Sequence, residues 1–251
     1  MKALYLECNM GAAGDMLTAA LLELCETPAE FVNQINQLGI MGAKLIAEDA
    51  VRSGIKGTHV SVMIDQEIHS GDKNLHTHLH RSLEEIQQII SKLEIPDTVK
   101  KDIQEVYRLL AEAESKAHNT PVSEIHFHEV GMIDAIVDIT AVCLLIHALA
   151  PDKILASPIH VGDGQIKCAH GILPVPAPAT AYLLKGIPTY KKNVYSELCT
   201  PTGAALLKYF VEEFGPQPVM KVEKTGYGMG RKTFEEMNAV RASIGEIQRV
   251  Y

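Results

Sequence analysis

The sequence predicts an α+β fold, a mixture of helices and short sheets, and three observations predict it. Apolar residues recur at helical spacing in several stretches and alternate with a period of two in others; past residue 150 the texture turns rich in Pro and Gly. With 251 residues, 47% of them hydrophobic and 22% charged, the chain has apolar material for one large or two modest domains. The change of texture allows two lobes, 1–150 and 151–251.

In chain order, "KALYLEC" reads as a strand and "GAAGDMLTAALLELC" as a helix with Met16, Leu17, Ala20, Leu21 and Leu24 on one face. Gly11 and Gly14 leave room for a tight turn between them. In "AKLIAEDAVRSGIKGTHVSVMI" the period shifts toward two, with Val60, Val62 and Ile64 on one side, so a β-hairpin turning near Ser53-Gly54 or Lys56-Gly57 is expected. The polar "DQEIHSGDKNLHTHLHRS" reads as a loop. Two helices follow, striped by Leu83, Ile86, Ile90 and Leu93 and by Val99, Ile103, Val106, Leu110 and Ala113, and a third spans residues 132–149. Beyond Pro151 short β-like pieces lie between turns. "TPTGAALLKYFVEEFG" reads as a capped helix stopping at Gly215-Pro216, and the tail as strands around a glycine turn.

Charge and composition exclude several functions. A formal net charge of −8 argues against a non-specific nucleic-acid or acidic-membrane binder, and no Trp with only 5% aromatics argues against stacking platforms. The best apolar run, "AVCLLIHALA", is too short to span a membrane, and Glu7 and Asp15 interrupt any signal-peptide core. Five widely spaced cysteines without a Cys-x-x-Cys pair point to reduced thiols in a cytoplasmic protein. Cys8 and Cys199 are thiol candidates with no local activation signal.

The chemistry-bearing residues gather in four strings. In "EIHFHEVGMIDAIVDIT", His126 and His128 share one side of an extended segment, Glu129 follows, and Asp134 and Asp138 share a helical face. Imidazole with carboxylate suits nickel, zinc, manganese or iron, whereas the same residues in a bland role would be a helix cap and hydrogen-bonded core histidines. "HTHLH" offers His76, His78 and His80 for a borderline divalent ion without imposed geometry. His170 precedes Gly171 beside the stiff "LPVPAP". In "ELCTPTGAALL", Thr200 or Thr202 can cap a helix, Pro201 fits its first turn, and Gly203 lets backbone approach an anion; "GYGMGRK" adds Arg231 and Lys232. Asp15 sits at the first strand-to-helix turn. The residues alone give a metal site beside an anion site.

Taken in order, "MGAAGDM", "EIHFHEVGMIDAIVDI", "AHGILPVPAPAT", "ELCTPTGAALL" and "GYGMGRK" resemble the LarC family, over residues 1 to about 243. These are nickel insertases that complete the nickel-pincer nucleotide of lactate racemase and related enzymes. The resemblance implies a lyase-type insertion of nickel into a pyridinium mononucleotide bearing two thiocarboxylates, forming two nickel–sulfur bonds and one nickel–carbon bond. It implies CTP with manganese or magnesium as cofactors and a lactate racemase-type apoenzyme downstream. "HTHLH" takes the place of the family's longer histidine-rich region. Family members often carry a further C-terminal domain associated with CTP; against that pattern this sequence reads as an N-terminal portion, expected to work with a C-terminal LarC-like domain or chain for insertion.

Residue chemistry then gives His126, His128, Glu129, Asp134 and Asp15 catalytic roles. It gives His126, His128, Asp134, His170, His76, His78 and His80 metal contacts, and Thr200, Thr202, Gly203, Arg231 and Lys232 the substrate's phosphate or carboxylate. Two other classes remain, a nickel-binding chaperone without chemistry and a metal-dependent hydrolase. A homo-oligomer is the common default.

Overall fold

The computed structural model describes residues 1–64, 81–127, 130–168 and 171–247. The first part of the chain forms β1 (Lys2–Glu7), α1 (Gly14–Leu22), α2 (Pro28–Gln37), β2 (Ala43–Arg52), β3 (Ile55–Ile64), β4 (Arg81–Ser82), α3 (Leu83–Ser91), α4 (Asp97–His118), β5 (His126–Phe127) and α5 (Ile133–Leu149). The second forms β6 (Lys153–Ala156), β7 (Ile159–His160), β8 (Gln165–Cys168), β9 (Gly171–Pro174), α6 (Pro178–Leu183), β10 (Thr189–Tyr190), α7 (Pro201–Phe210), β11 (Glu213–Phe214), β12 (Met220–Met229) and β13 (Ala239–Ile247). The mixed class expected from the sequence holds.

Most long strands join one seven-stranded sheet, in the order β11-β6-β1-β13-β12-β3-β2. It draws strands from both sides of residue 151, since β1 pairs in parallel with β6 and antiparallel with β13. The β2–β3 hairpin turns at Ser53-Gly54, whose φ values of 50° and 78° suit the two-residue turn that matches strand twist. β3 and β12 meet in parallel at a single position, Gly228↔Thr58, so the described pairing there is short.

α1 lies on β12, β3 and β13; α5 packs on α1; α4 crosses α5, α6 and α7. The long apolar run is thereby explained. α5 is buried nearly all round, from Ile133 to Leu149, because it has helix or sheet on most sides. Each fully buried Leu, Ile or Val there contributes about 1.5–3 kcal/mol relative to exposure. None of the described helices is long and apolar enough to cross a membrane.

Three expectations are corrected. The glycines of "GYGMG" do not make a turn: Gly226 and Gly228 stand inside β12, where the backbone of α1 at Met16 and Ala20 rests directly on the strand. Chain reversal falls to residues 230–238. α7 stops at Phe210 rather than Gly215, because Val211 turns extended and Glu213–Phe214 pairs with β6 as an edge strand. α2 was not anticipated; Pro28 starts it, but it buries only Phe31 and Ile35, a stripe too narrow to stand out from its polar face.

Candidate functional site

Three helices begin at one place. Ala12 bridges to Cys199, the Thr200 N–H donates to the Ala12 carbonyl at 3.0 Å, and Gly203 lies so close to that carbonyl that any side chain would collide with it. α1 and α7 therefore start side by side. Gly14 brings α5 equally near: a Cβ there would sit 2.8 Å from the Cβ of Asp138. Between the helix starts, β3 and residues 230–238, a cavity of about 670 Å³ opens.

Acids and one histidine line its inner end. Asp15 and Asp134 occupy the first turns of α1 and α5, where the partial positive charge of the helix end favours a carboxylate. Asp15 Oδ1 accepts the Met16 N–H at 2.8 Å, and Asp134 Oδ1 accepts the Ala135 N–H at 2.9 Å. Asp138 follows one turn later; part of it lines the cavity, while its Oδ1 is closed off from solvent and has no hydrogen-bond partner among the described residues. Burial pushes the Asp138 carboxyl well above the usual carboxylate range, and the charges of Asp15 and Asp134 push the same way. Burial also raises Asp15, opposed by the Met16 N–H and by His59.

His59 reaches the cavity from β3. Its Nδ1 lies 2.9 Å from the Met229 carbonyl oxygen. A carbonyl only accepts, so in the neutral ring Nδ1 carries the proton and Nε2 keeps the lone pair.

The outer end is different. Thr200 caps α7, its Oγ1 accepting the Gly203 N–H at 3.2 Å, and no acid stands in the first turn of α7. Across from it are Arg231 and Lys232, both exposed. Their segment is tied by Asn238, which donates from Nδ2 to the Lys232 carbonyl and accepts the Gly230 N–H on its own carbonyl, both at 2.8 Å. Lys232 Nζ also donates to Ser196 Oγ at 2.7 Å. Glu197, just ahead of the cap, also lines the cavity, but a helix whose first turn holds no acid and which has two cations nearby suits a phosphate or carboxylate.

The structure thus brings Asp15, Asp134, Thr200, Thr202, Arg231 and Lys232 to one cavity. Gly203 spends its N–H on the cap and its bare Cα on Ala12. His126 is exposed on β5, opposite Ser82 of the capping box that starts α3, and is not among the residues lining the cavity. His128, Glu129, His170, His76, His78 and His80 lie outside the described residues. Among the described residues, no three His, Cys, Asp or Glu side chains converge to hold a metal. Cys8 and Cys199 are buried, and burial pushes the Cys8 thiol up to about 12 and that of Cys199 in the same direction, so both are neutral thiols. His59 escaped the sequence reading. The only signal for it was a polar alternation, His59 and Ser61 between Val60 and Val62, that is also the pattern of a solvent-facing strand side.

Comparison with known proteins identifies the family. A family model described as nickel insertion protein matches residues 4–250. A pyridinium-3,5-bisthiocarboxylic acid mononucleotide nickel insertion protein of Desulfitobacterium hafniense is 42% identical over 98% of this chain and 59% of its own length. Proteins of the same name from Geobacillus kaustophilus and Acetivibrio thermocellus are 39% and 40% identical, over 100% and 98% of this chain and 61% and 60% of theirs. No solved structure matches. The chain spans about three-fifths of the length of these relatives, and the match to the family model from residue 4 to residue 250 takes in every element that builds the cavity. The chain belongs to the nickel insertion protein family, LarC.

Proposed function

We propose that the cavity holds a pyridinium-3,5-bisthiocarboxylic acid mononucleotide while nickel is inserted into it. One observation carries the reading: one cavity of about 670 Å³ has a helix whose first turn holds no acid, with Arg231 and Lys232, at one end and three aspartates with a histidine at the other. That volume lies within the common range for small-ligand pockets, roughly 300–1,000 Å³. The phosphate takes the first turn of α7 and the two cations. The ring then reaches inward with its thiocarboxylates toward Asp15, Asp134, Asp138 and His59.

Nickel is cargo in this scheme. The negative inner wall lowers the cost of bringing a dication into a partly dry site, and the two sulfurs, softer donors than carboxylate, then take the metal. His126, His128, Glu129 and His170, and His76, His78 and His80, are candidate hand-over ligands on the way in. CTP with manganese or magnesium acts through the C-terminal domain or chain that completes the insertase, in the cytoplasm, and the product passes to a lactate racemase-type apoenzyme. A homo-oligomer remains the default assembly.

The test is anaerobic incorporation of nickel into the thiocarboxylated mononucleotide with CTP and manganese. This chain would be assayed alone and with the C-terminal region of a relative added. Incorporation on addition is expected. No incorporation in either case, with nickel still bound tightly, would replace this reading with that of a nickel carrier.

A further inference from the structure

We infer that His59 is the base that accepts the ring proton as nickel bonds to carbon, an assignment that rests on the function proposed above. In the named substrate, ring carbon C4 lies between the two thiocarboxylate arms. A nickel ion held by one sulfur of each arm is brought against C4, and bonding there closes two five-membered chelate rings that share the new bond. The C4–H bond breaks heterolytically: its electron pair becomes the nickel–carbon bond and its proton must leave. No oxidant or reductant is needed. A base is.

The inner end of the cavity supplies few candidates. Asp138 keeps Oδ1 closed off from solvent, and burial followed by its two acidic neighbours pushes its carboxyl up, which makes it a poorly reached proton acceptor. Asp15 and Asp134 each commit one oxygen to a backbone N–H, and a carboxylate is by class a weaker base than imidazole. His59 differs from all three. The Met229 carbonyl fixes its ring and its tautomer, which leaves Nε2 an open lone pair on a side chain lining the cavity. The charged groups around it are Glu48, its cross-strand partner on β2, together with Asp15, Asp134 and Asp138 on the helices, Glu197 ahead of α7, and Arg231 and Lys232 across the cavity. Of these, Asp15 is the carboxyl that a charge on His59 pulls down against the upward push of burial, so the imidazolium formed on proton transfer and the Asp15 carboxylate favour one another. Met229 is also the last residue of β12, so the same strand that carries α1, and with it Asp15, holds the histidine.

The experiment uses His59→Asn, whose amide can still donate to the Met229 carbonyl but offers no basic nitrogen. It is run in the complete assay above, with substrate carrying hydrogen or deuterium at C4. Substrate affinity is read without nickel, the nickel–sulfur chelate by its charge-transfer absorbance, and product by mass. Product formation is expected to slow by roughly 100- to 10,000-fold while substrate affinity stays within about threefold and the chelate still forms. Added imidazole should restore rate, with a primary isotope effect. A rate within about threefold of wild type overturns the assignment, as does a rate loss matched by lost substrate affinity. So does loss of nickel binding by the variant without substrate, which would make His59 a ligand, and so does failure of imidazole to rescue. Wild-type chain that forms no product at all removes the proposed function itself, and this assignment with it.

Discussion

The two ends of the cavity are made of similar parts and charged by opposite means. Both begin at helix N-termini, yet α1 and α5 carry their own acids in the first turn while α7 carries none. Asp15 and Asp138 are partly withdrawn from water while Asp134 is exposed, and the charges of Asp15 and Asp134 add to the effect of burial on Asp138; Arg231 and Lys232 stand in solvent. The difference teaches that one end is built to tune protonation and the other to position charge. Low dielectric amplifies the first, and salt screens the second.

The largest effect should come from breaking what the two ends share. Gly203 seats α7 against the Ala12 carbonyl, and the colliding atoms are backbone, which cannot swing aside. Gly203→Val is expected to cost about 3 kcal/mol or more in stability by denaturant unfolding and to disable both ends together. A stable variant with one end intact would show that the helix starts are independently placed.

The next effect isolates the inner end. Asp138→Asn removes an ionisable group whose folded-state value is raised by burial and by Asp15 and Asp134. The native state then binds more protons than the unfolded chain, so the group's contribution is fully present below the unfolded value near pH 4 and is lost as pH rises toward the folded one. Relative to wild type, Asp138→Asn should gain stability progressively as pH rises from about 4, read by denaturant unfolding at a series of pH values. A ΔΔG flat across that range would mean that burial and the neighbouring acids do not raise the Asp138 carboxyl, and the contrast between the ends would weaken.

The outer end should answer to salt instead. Arg231→Ala with Lys232→Ala is expected to weaken substrate binding roughly tenfold to a hundredfold with little change in turnover, and to flatten the salt dependence of binding. Stability should move by less than about 0.5 kcal/mol, as for most exposed positions. A fall in turnover at constant affinity would transfer a chemical role to these cations.

Much of the frame was legible in the sequence, and so were several residues of the cavity, but not the histidine that completes it. The stripes of α1, α3 and α4 are periodic enough to name, and Ser53-Gly54 carries its own turn chemistry. Asp15, Asp134, Thr200 and Thr202 are legible because helix starts announce themselves in local residue choice. His59 is not, since its meaning depends on β12 offering the Met229 carbonyl 170 positions away. The glycines of "GYGMG" mislead for a related reason. Glycine in a string reads equally as a turn or as a place where another backbone comes close, and only the packing of α1 decides between them.

Thr200 offers the smallest and finest test of the contrast. Its hydroxyl already accepts the Gly203 N–H, so Thr200→Val, which keeps shape and removes the acceptor, should cost about 1 kcal/mol of stability. Thr200→Ser should cost little, because the cap survives. If the outer end only positions charge, both variants keep near-normal turnover, and Thr200→Val even frees one N–H of α7 for the phosphate. Its affinity loss should then be smaller than its stability loss, when both are measured as free energies by calorimetry and by denaturant unfolding. An affinity loss of about 2 kcal/mol or more would mean that the Thr200 hydroxyl itself contacts the anion, and that this end, like the inner one, depends on a single exact geometry rather than on summed charge.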